Sequence, residues 1–201
     1  MSDLFDIVSR RHQAGHAAAP PKLWVDPRIQ QIGEFKPAAV LVAITDRPRP
    51  GMLLLHRPSN MRAHPGQIAL PGGRIDAGED AVAAALREAN EELGIDPAMV
   101  RVIGTSDRYR TGSGYDITPV IGLVPADLPI RPNPAEVAQW FEAPVDFVLD
   151  PANQLTRSLD FEGRKHAFIE ITWHDGQQDH VIWGVTGAIL HNLAWRLKWN
   201  D

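Results

Sequence analysis

The sequence predicts a single mixed domain of the α/β or α+β type, with strands and helices interleaved along the chain. Three observations carry this. Short β-branched or leucine-rich runs alternate with stretches of helical period. The chain has 201 residues, 44% of them hydrophobic, enough for one substantial core with an appended arm. No apolar run approaches the roughly 18 residues that span a bilayer.

Composition removes several classes. The chain contains no cysteine, so disulfides, thiolate metal sites and cysteine nucleophiles are excluded. The formal net charge is −5, which gives no overall field for a nucleic-acid backbone. The start, MSDLFDIVSRRHQ, lacks the apolar centre of a signal peptide. The expectation is a cytoplasmic protein that binds neither nucleic acid nor membrane.

The elements follow in order. Residues 2 to 13 place Leu4, Ile7 and Val8 on one side of a short helix, and AGHAAAPPK reads as a connector. Residues 1–33 are therefore expected as an N-terminal helix and connector, and 34–201 as the main domain. AAVLVAIT (38–45) and MLLLH (52–56), joined by DRPRPG, predict a hairpin. RPSNMRAHPG is an irregular loop, and the glycines at 72, 73 and 78 imply an unusual backbone path. A helix begins after Asp80 and stops at Gly94, a C-cap position. Strands are expected at 100–105 and 117–124, separated by a polar loop, DRYRTGSGYD. Another is expected near 136–141, then a short helix near 144–149. KHAFIEITWH and HVIWG add strands, and VTGAILHNLAWRLKW closes the chain as an amphipathic helix.

The helix after Asp80 contains REANEELG. At about 100° per residue, Glu91 lies about 60° to one side of Glu88 and Glu92 about 40° to the other. All three carboxylates share a face. Each like-charge neighbour costs on the order of 0.2–0.5 kcal/mol, so a plain solvated face is possible; a cation site is the alternative.

The wider stretch decides between these. GRIDAGEDAVAAALREANEELGI resembles the signature of the Nudix hydrolase family at every fixed position: Gly73, Glu79, Arg87, Glu88, Glu91, Glu92 and Gly94. Ala89 and Ile95 fill the apolar slots. The resemblance implies an α/β/α sandwich with a mixed sheet and a loop-helix-loop metal site. It also implies Mg²⁺ or Mn²⁺ as cofactor, which suits hard oxygen ligands. Glu88 and Glu92 are the first candidates for ligands, with Glu91 and the Gly73 carbonyl next. Arg87 is expected to orient a glutamate, and Glu79 to brace the loop, with Gly94 ending the helix. Relatives place the catalytic base variously, so Glu91 and, on a later segment, Glu136 are candidates, with Glu142 a weaker one.

The segment before the signature, LLLHRPSNMRAHPGQIALPGG, is similar to the extra motif of the coenzyme A pyrophosphatase branch. Leu53, Leu54, Arg57, Arg62, Gly66, Pro71, Gly72 and Gly73 match. Leu55, Pro58 and Leu70 depart from it, standing where threonine, serine and phenylalanine are usual. The tail IWGVTGAILHNL is also similar to that branch. The resemblance covers roughly residues 36–195 in outline, and is motif-grade only over 53–95. It implies hydrolysis of CoA or acyl-CoA to 3′,5′-ADP and (acyl-)4′-phosphopantetheine. Arg57, Arg62, Gly66 and Gly72 would then bind substrate, since arginine pairs with phosphate oxygens bidentately. The alternatives are a Nudix hydrolase of ADP-ribose or another nucleoside diphosphate derivative, and a non-catalytic nucleotide sensor. His64, Tyr109, Arg110 and Tyr115 are minor candidates for ligand contact. Trp195 and Trp199 read as packing or as a homodimer contact.

Overall fold

The computed structural model describes residues 3–19, 23–60, 64–161 and 164–200. Its chain order is α1 (Asp3–Ala17), β1 (Lys36–Asp46), β2 (Gly51–His56), β3 (Ile68–Ala69), β4 (Gly72–Arg74), α2 (Ala81–Leu93), β5 (Arg101–Thr105), β6 (Tyr109–Arg110), β7 (Tyr115–Pro125), β8 (Gln139–Pro144), α3 (Val145–Val148), β9 (Leu155–Phe161), β10 (Arg164–His174), β11 (Asp179–Trp183) and α4 (Gly184–Leu197).

The larger sheet is mixed. β1 and β7 run parallel from Lys36↔Tyr115 to Asp46↔Pro125, whereas β2, β4, β5, β6 and β8 all pair antiparallel. The expected hairpin is present, with Ile44 opposite Met52. β1 explains why its sequence reads as an unbroken apolar run: it is covered on both faces. Ala39, Leu41 and Ala43 point toward α2, where Ala84, Ala85, Ala89 and Leu93 meet them. Ala38, Val42 and Ile44 point the other way, into the core built with α4 and the second sheet. The small side chains of α2 let it lie close on the sheet. The result is the expected helix–sheet–helix sandwich.

The second sheet, β9-β10-β11, is antiparallel. Its inward residues Ile169, Ile171 and Ile182 are buried with α4. Alternation identified β10 and β11, but the polar content of LTRSLDF concealed β9. The loop 107–116 also contains β6, two residues long. The strand expected near 136–141 begins at Gln139 instead, because a turn occupies the preceding residues, with Val137 N–H donating to Asn133 O (2.8 Å).

Helix α1 runs through Ala17, into the segment expected as a connector. Alanine is a strong helix former, and the polar face of this stretch is docked. Arg196, 5% exposed, donates to the carbonyl of Gly15 at 2.7 Å and chelates Asp107 at 2.5 and 2.8 Å. Among the described residues no helix is long and apolar enough to cross a membrane.

Candidate active site

The site begins with how α2 is delimited. The Asp80 carboxylate accepts from the amide of Ala83 at 2.8 Å, capping the first turn. At the other end Gly94 adopts φ 69°, a left-handed value that glycine reaches without strain. Its N–H donates to Asn90 O (2.9 Å), and that of Ile95 to Ala89 O (3.3 Å). These caps fix the register of the glutamates.

Gly72 and Gly73 lie in β4, opposite Val40 and Ala39 of β1. A Cβ on Gly72 would overlap the carbonyl of Ala39, and one on Gly73 would overlap the Glu88 carboxylate. The glycines thus permit the acidic helix to sit directly against the strand end. Glu92 is 4% exposed, and its Oε2 accepts from the Gly72 amide at 2.9 Å.

Arg87 gathers the remaining acids. Its Nε and Nη2 bond the two oxygens of Glu79 (2.8 and 3.1 Å). Its Nη1 reaches Glu88 (3.0 Å) and Glu91 (3.2 Å), and Nη2 also donates to the carbonyl of Arg74 (2.9 Å). Glu79 in turn accepts from the Asp76 amide (3.1 Å), so the glycine loop is closed on itself. The hydrogen bonds from Arg87 hold the Glu79 carboxyl below its ordinary range.

Glu92 and Glu88 shift the opposite way from Glu79. Burial pushes Glu92 up to about 8, outweighing the Gly72 amide, and neighbouring Glu88 and Glu136 add to the shift. Burial also raises Glu88, against the pull of Arg87. Among the described residues no three His, Asp or Glu side chains already stand together as a cation cage. Glu88 is turned toward Arg87, and Glu92 toward Gly72. Even so, desolvated carboxylates crowded by like charge are a donor set that a hard divalent cation fits, since it would relieve the cost of their ionisation.

Glu136 reaches this cluster by an indirect route. After β7 the chain returns to the end of α2, where Arg131 N–H donates to Leu93 O and Asn133 N–H to Glu92 O, both at 2.8 Å. The turn after Asn133 presents Glu136 near enough for its charge to act on Glu88 and Glu92. Glu142 lies elsewhere: Thr45 Oγ1 donates to it at 2.6 Å and Arg47 pairs with it at 3.1 Å, at the Gly51 end of the sheet.

A cleft of about 470 Å³ opens beside the glycines. Arg57, His64, Gly72, Gly73, Trp183 and Val185 are among the residues that line it. The Nε of Arg57 is buried and has no hydrogen-bond partner among the described residues. Gly66 is exposed, with φ 68°, in the turn that closes the loop. Arg62 lies outside the described residues. Of the three minor candidates after β5, Tyr115 lines the cleft, Tyr109 is buried, and Arg110 pairs with Asp116 (3.3 Å). Sequence reasoning missed Thr111, Ser113 and Gln67 as cleft residues, and read Trp183 only as part of a strand and of the tail motif. No local pattern marks them, because the cleft is assembled from distant segments.

The NUDIX domain pattern matches residues 35–164. The chain is 41% identical over 161 residues to a protein of Enterobacter sp. (strain 638) described as an uncharacterized Nudix hydrolase, NudL. The match covers 78% of this chain and 80% of that protein. It is 38% identical over 181 residues to the protein of the same description from Pectobacterium atrosepticum, covering 88% and 91%. Among solved structures it is similar to RenU, a Nudix hydrolase from M. smegmatis, at 28% identity and a TM-score of 0.49, over 55% of this chain and 71% of that one. The matching pattern spans well over half the sequence and the relatives agree with it along most of their length: this chain belongs to the Nudix hydrolase family.

Proposed function

We propose that this chain hydrolyses the diphosphate of coenzyme A or acyl-CoA, giving 3′,5′-ADP and (acyl-)4′-phosphopantetheine. As a Nudix hydrolase it acts on a nucleoside diphosphate derivative, and the family generally uses divalent cations. Mg²⁺ or Mn²⁺, when bound, would supply charge neutralisation at the phosphate oxygens and acidify a water. Glu88, Glu92 and Glu91, with the carbonyl of Gly73, are the groups to hold it. Arg87, braced by Glu79, keeps Glu88 and Glu91 in position, the Gly72 amide holds Glu92, and Gly94 fixes the helix end behind them. Glu136 is the proposed base: it takes the proton of the attacking water as the oxygen bonds to phosphorus and the other phosphate departs. Glu91, half-exposed and held by Arg87, is the alternative for this proton.

The observation that carries the substrate assignment is Arg57. Its buried, unpartnered Nε and its place beside Gly72 and Gly73 suit a bidentate phosphate contact. A mostly apolar cleft of this size accommodates a pantetheine arm. Arg62 and Gly66 complete the proposed phosphate loop.

A substrate panel with Mg²⁺ tests the reading. CoA should be cleaved with kcat/KM at least about tenfold above dephospho-CoA and ADP-ribose, since a lost charge-assisted contact is worth roughly 1.5–3 kcal/mol. Equal rates on all three would replace CoA with a general nucleoside diphosphate substrate. Binding without turnover of any of them would make the chain a nucleotide sensor.

A further inference from the structure

A chain of three polar side chains, centred on a fully buried histidine, joins the two sheets next to the cleft. His180 of β11 is 0% exposed. Its Nε2 meets Asp175 Oδ2 at 2.9 Å, and its Nδ1 meets His56 Nε2 at 3.0 Å. The ring is stacked on Phe141, 3.8 Å between centroids, with Trp173 at 5.4 Å on a parallel course. A buried imidazole with both nitrogens committed is costly to assemble and rigid once assembled. With the Asp175 carboxylate ionised, His180 Nε2 donates to it. In the neutral ring the remaining nitrogen then accepts the Nε2 proton of His56. Asp175 is itself fixed, because its other oxygen accepts from the amides of Gln177 (2.7 Å) and Gln178 (2.8 Å).

The two histidines of this chain each adjoin a segment that lines the cleft. His56 is the last residue of β2 and immediately precedes Arg57. His180 is three residues before Trp183, and α4 begins at Gly184; Trp183 and Val185 also line the cleft. Nothing in the hydrolytic chemistry uses either histidine. We infer that the Asp175–His180–His56 chain is a positioning device that fixes the spacing between the cleft segment carrying Arg57 and the cleft segment carrying Trp183. His180 and His56 are therefore positioning residues for substrate binding. The inference rests on the cleft being the substrate site, as proposed above. Weaker ties run alongside: Thr186 Oγ1 donates to Ile68 O (2.9 Å), and Gln178 Nε2 to Gln139 Oε1 (3.2 Å). These keep the sheets together when the histidine link is cut, so its loss should loosen the cleft without unfolding the domain.

The test uses the full-length chain with three substitutions. His56→Leu removes the link at a half-buried position, His56→Gln keeps a hydrogen-bonding group there, and Asp175→Asn reverses the direction of donation from the loop side. Two readouts are taken: steady-state kinetics on CoA and on ADP-ribose with Mg²⁺, and amide hydrogen exchange by peptide. For His56→Leu, KM should rise about fivefold or more with kcat within about twofold. Exchange should accelerate in peptides covering 57–70 and 181–187 and not in α2. His56→Gln should restore most of both effects, and Asp175→Asn should show an intermediate loss. The inference is overturned if His56→Leu leaves KM unchanged, if faster exchange spreads evenly through the chain, or if His56→Gln is no better than His56→Leu. Should the wild-type chain cleave neither substrate, the functional proposal falls by itself, and the exchange pattern still decides whether the clamp exists.

Discussion

Arg87 and Glu79 meet as a fork on a carboxylate, Nε to Oε1 at 2.8 Å and Nη2 to Oε2 at 3.1 Å, although eight residues separate them. The same guanidinium touches Glu88, Glu91 and the carbonyl of Arg74. One planar group therefore sets the positions of three acids and the loop before them. Lysine carries the charge but one nitrogen, and cannot hold them together. Arg87→Lys should lower kcat/KM at least about tenfold while the melting temperature falls less steeply than activity, because the charge is kept and the pairs are only partly buried. Kinetics and a thermal melt on the same preparation check this. A variant with full activity would reduce the fork to a surface ion pair.

Glu92 is the acid that the protein alone stabilises least. It is buried and its carboxyl is raised to about 8, although its Oε2 accepts a hydrogen bond from the Gly72 amide. A divalent cation that binds the folded chain and not the unfolded one raises stability by mass action. Mg²⁺ should therefore raise the melting temperature of the wild-type chain. Glu92→Gln retains an oxygen for the Gly72 amide and removes the negative charge. It should melt no lower than wild type in chelator, lose most of the Mg²⁺-induced rise, and drop turnover at least about 10²-fold. Isothermal titration and turnover measure the two effects separately. Unchanged turnover would remove Glu92 from the metal set.

Gly72 and Gly73 are adjacent, yet their substitution should fail differently. The added methyl of Gly72→Ala meets the backbone carbonyl of Ala39, which cannot move without breaking the β1–β4 pairing. Overpacking of this kind costs about 1–3 kcal/mol. At about 2–4 °C per kcal/mol for a chain of this size, a clear fall in melting temperature is expected. The methyl of Gly73→Ala meets only the end of the Glu88 side chain, which can swing aside. That variant should keep its melting temperature and lose activity, because the displaced carboxylate is a proposed ligand. Equal melting temperatures and equal activities for the two would show that the backbone adjusts freely here.

What was legible beforehand follows from which interactions are local. The bounds of α2 were readable because Asp80 and Gly94 act within one turn of their own helix ends. The closeness of Glu79 to Arg87 follows from the family resemblance and not from helical spacing, because Glu79 lies in the loop before α2. β1 and β2 were readable because burial on both sides demands continuous apolar residues. Glu136 was placed on a strand, yet its position depends on the chain folding back to the Glu92 carbonyl through Asn133, a contact that no periodicity encodes. The His56–His180 contact spans 124 residues and joins two sheets, so neither histidine stood out from its neighbours. The outward face of β9 mixes Leu155 and Leu159 with Arg157, and this weakened the alternation that a strand normally shows. The end of α1 was misjudged because Arg196, which holds Gly15, lies at the far end of the chain.

That last contact carries a pH prediction. The hydrogen bonds and charge of Arg196 hold the Asp107 carboxyl below its usual range, against the effect of burial. An acid whose folded value is depressed binds its proton less readily when folded. Its contribution to stability is therefore present above its ordinary value near 3.8 and is lost as pH falls through the folded value. Protonated Asp107 no longer fixes the guanidinium that also supports Gly15 O and, at 3.4 Å, Ala18 O. The docking of α1 on α4 should loosen on acidification, with amide exchange rising in residues 3–17 before it rises in β1 or β7 when rates are corrected for pH. Asp107→Asn should show the same loosening already at neutral pH, and any further change on acidification then comes from His16, the titrating group of α1 that lies 4.0 Å from Asp107 in the wild type. If exchange in α1 and β1 rises together in wild type, the helix is held by its apolar contacts through Val8 and not by the Arg196 anchor.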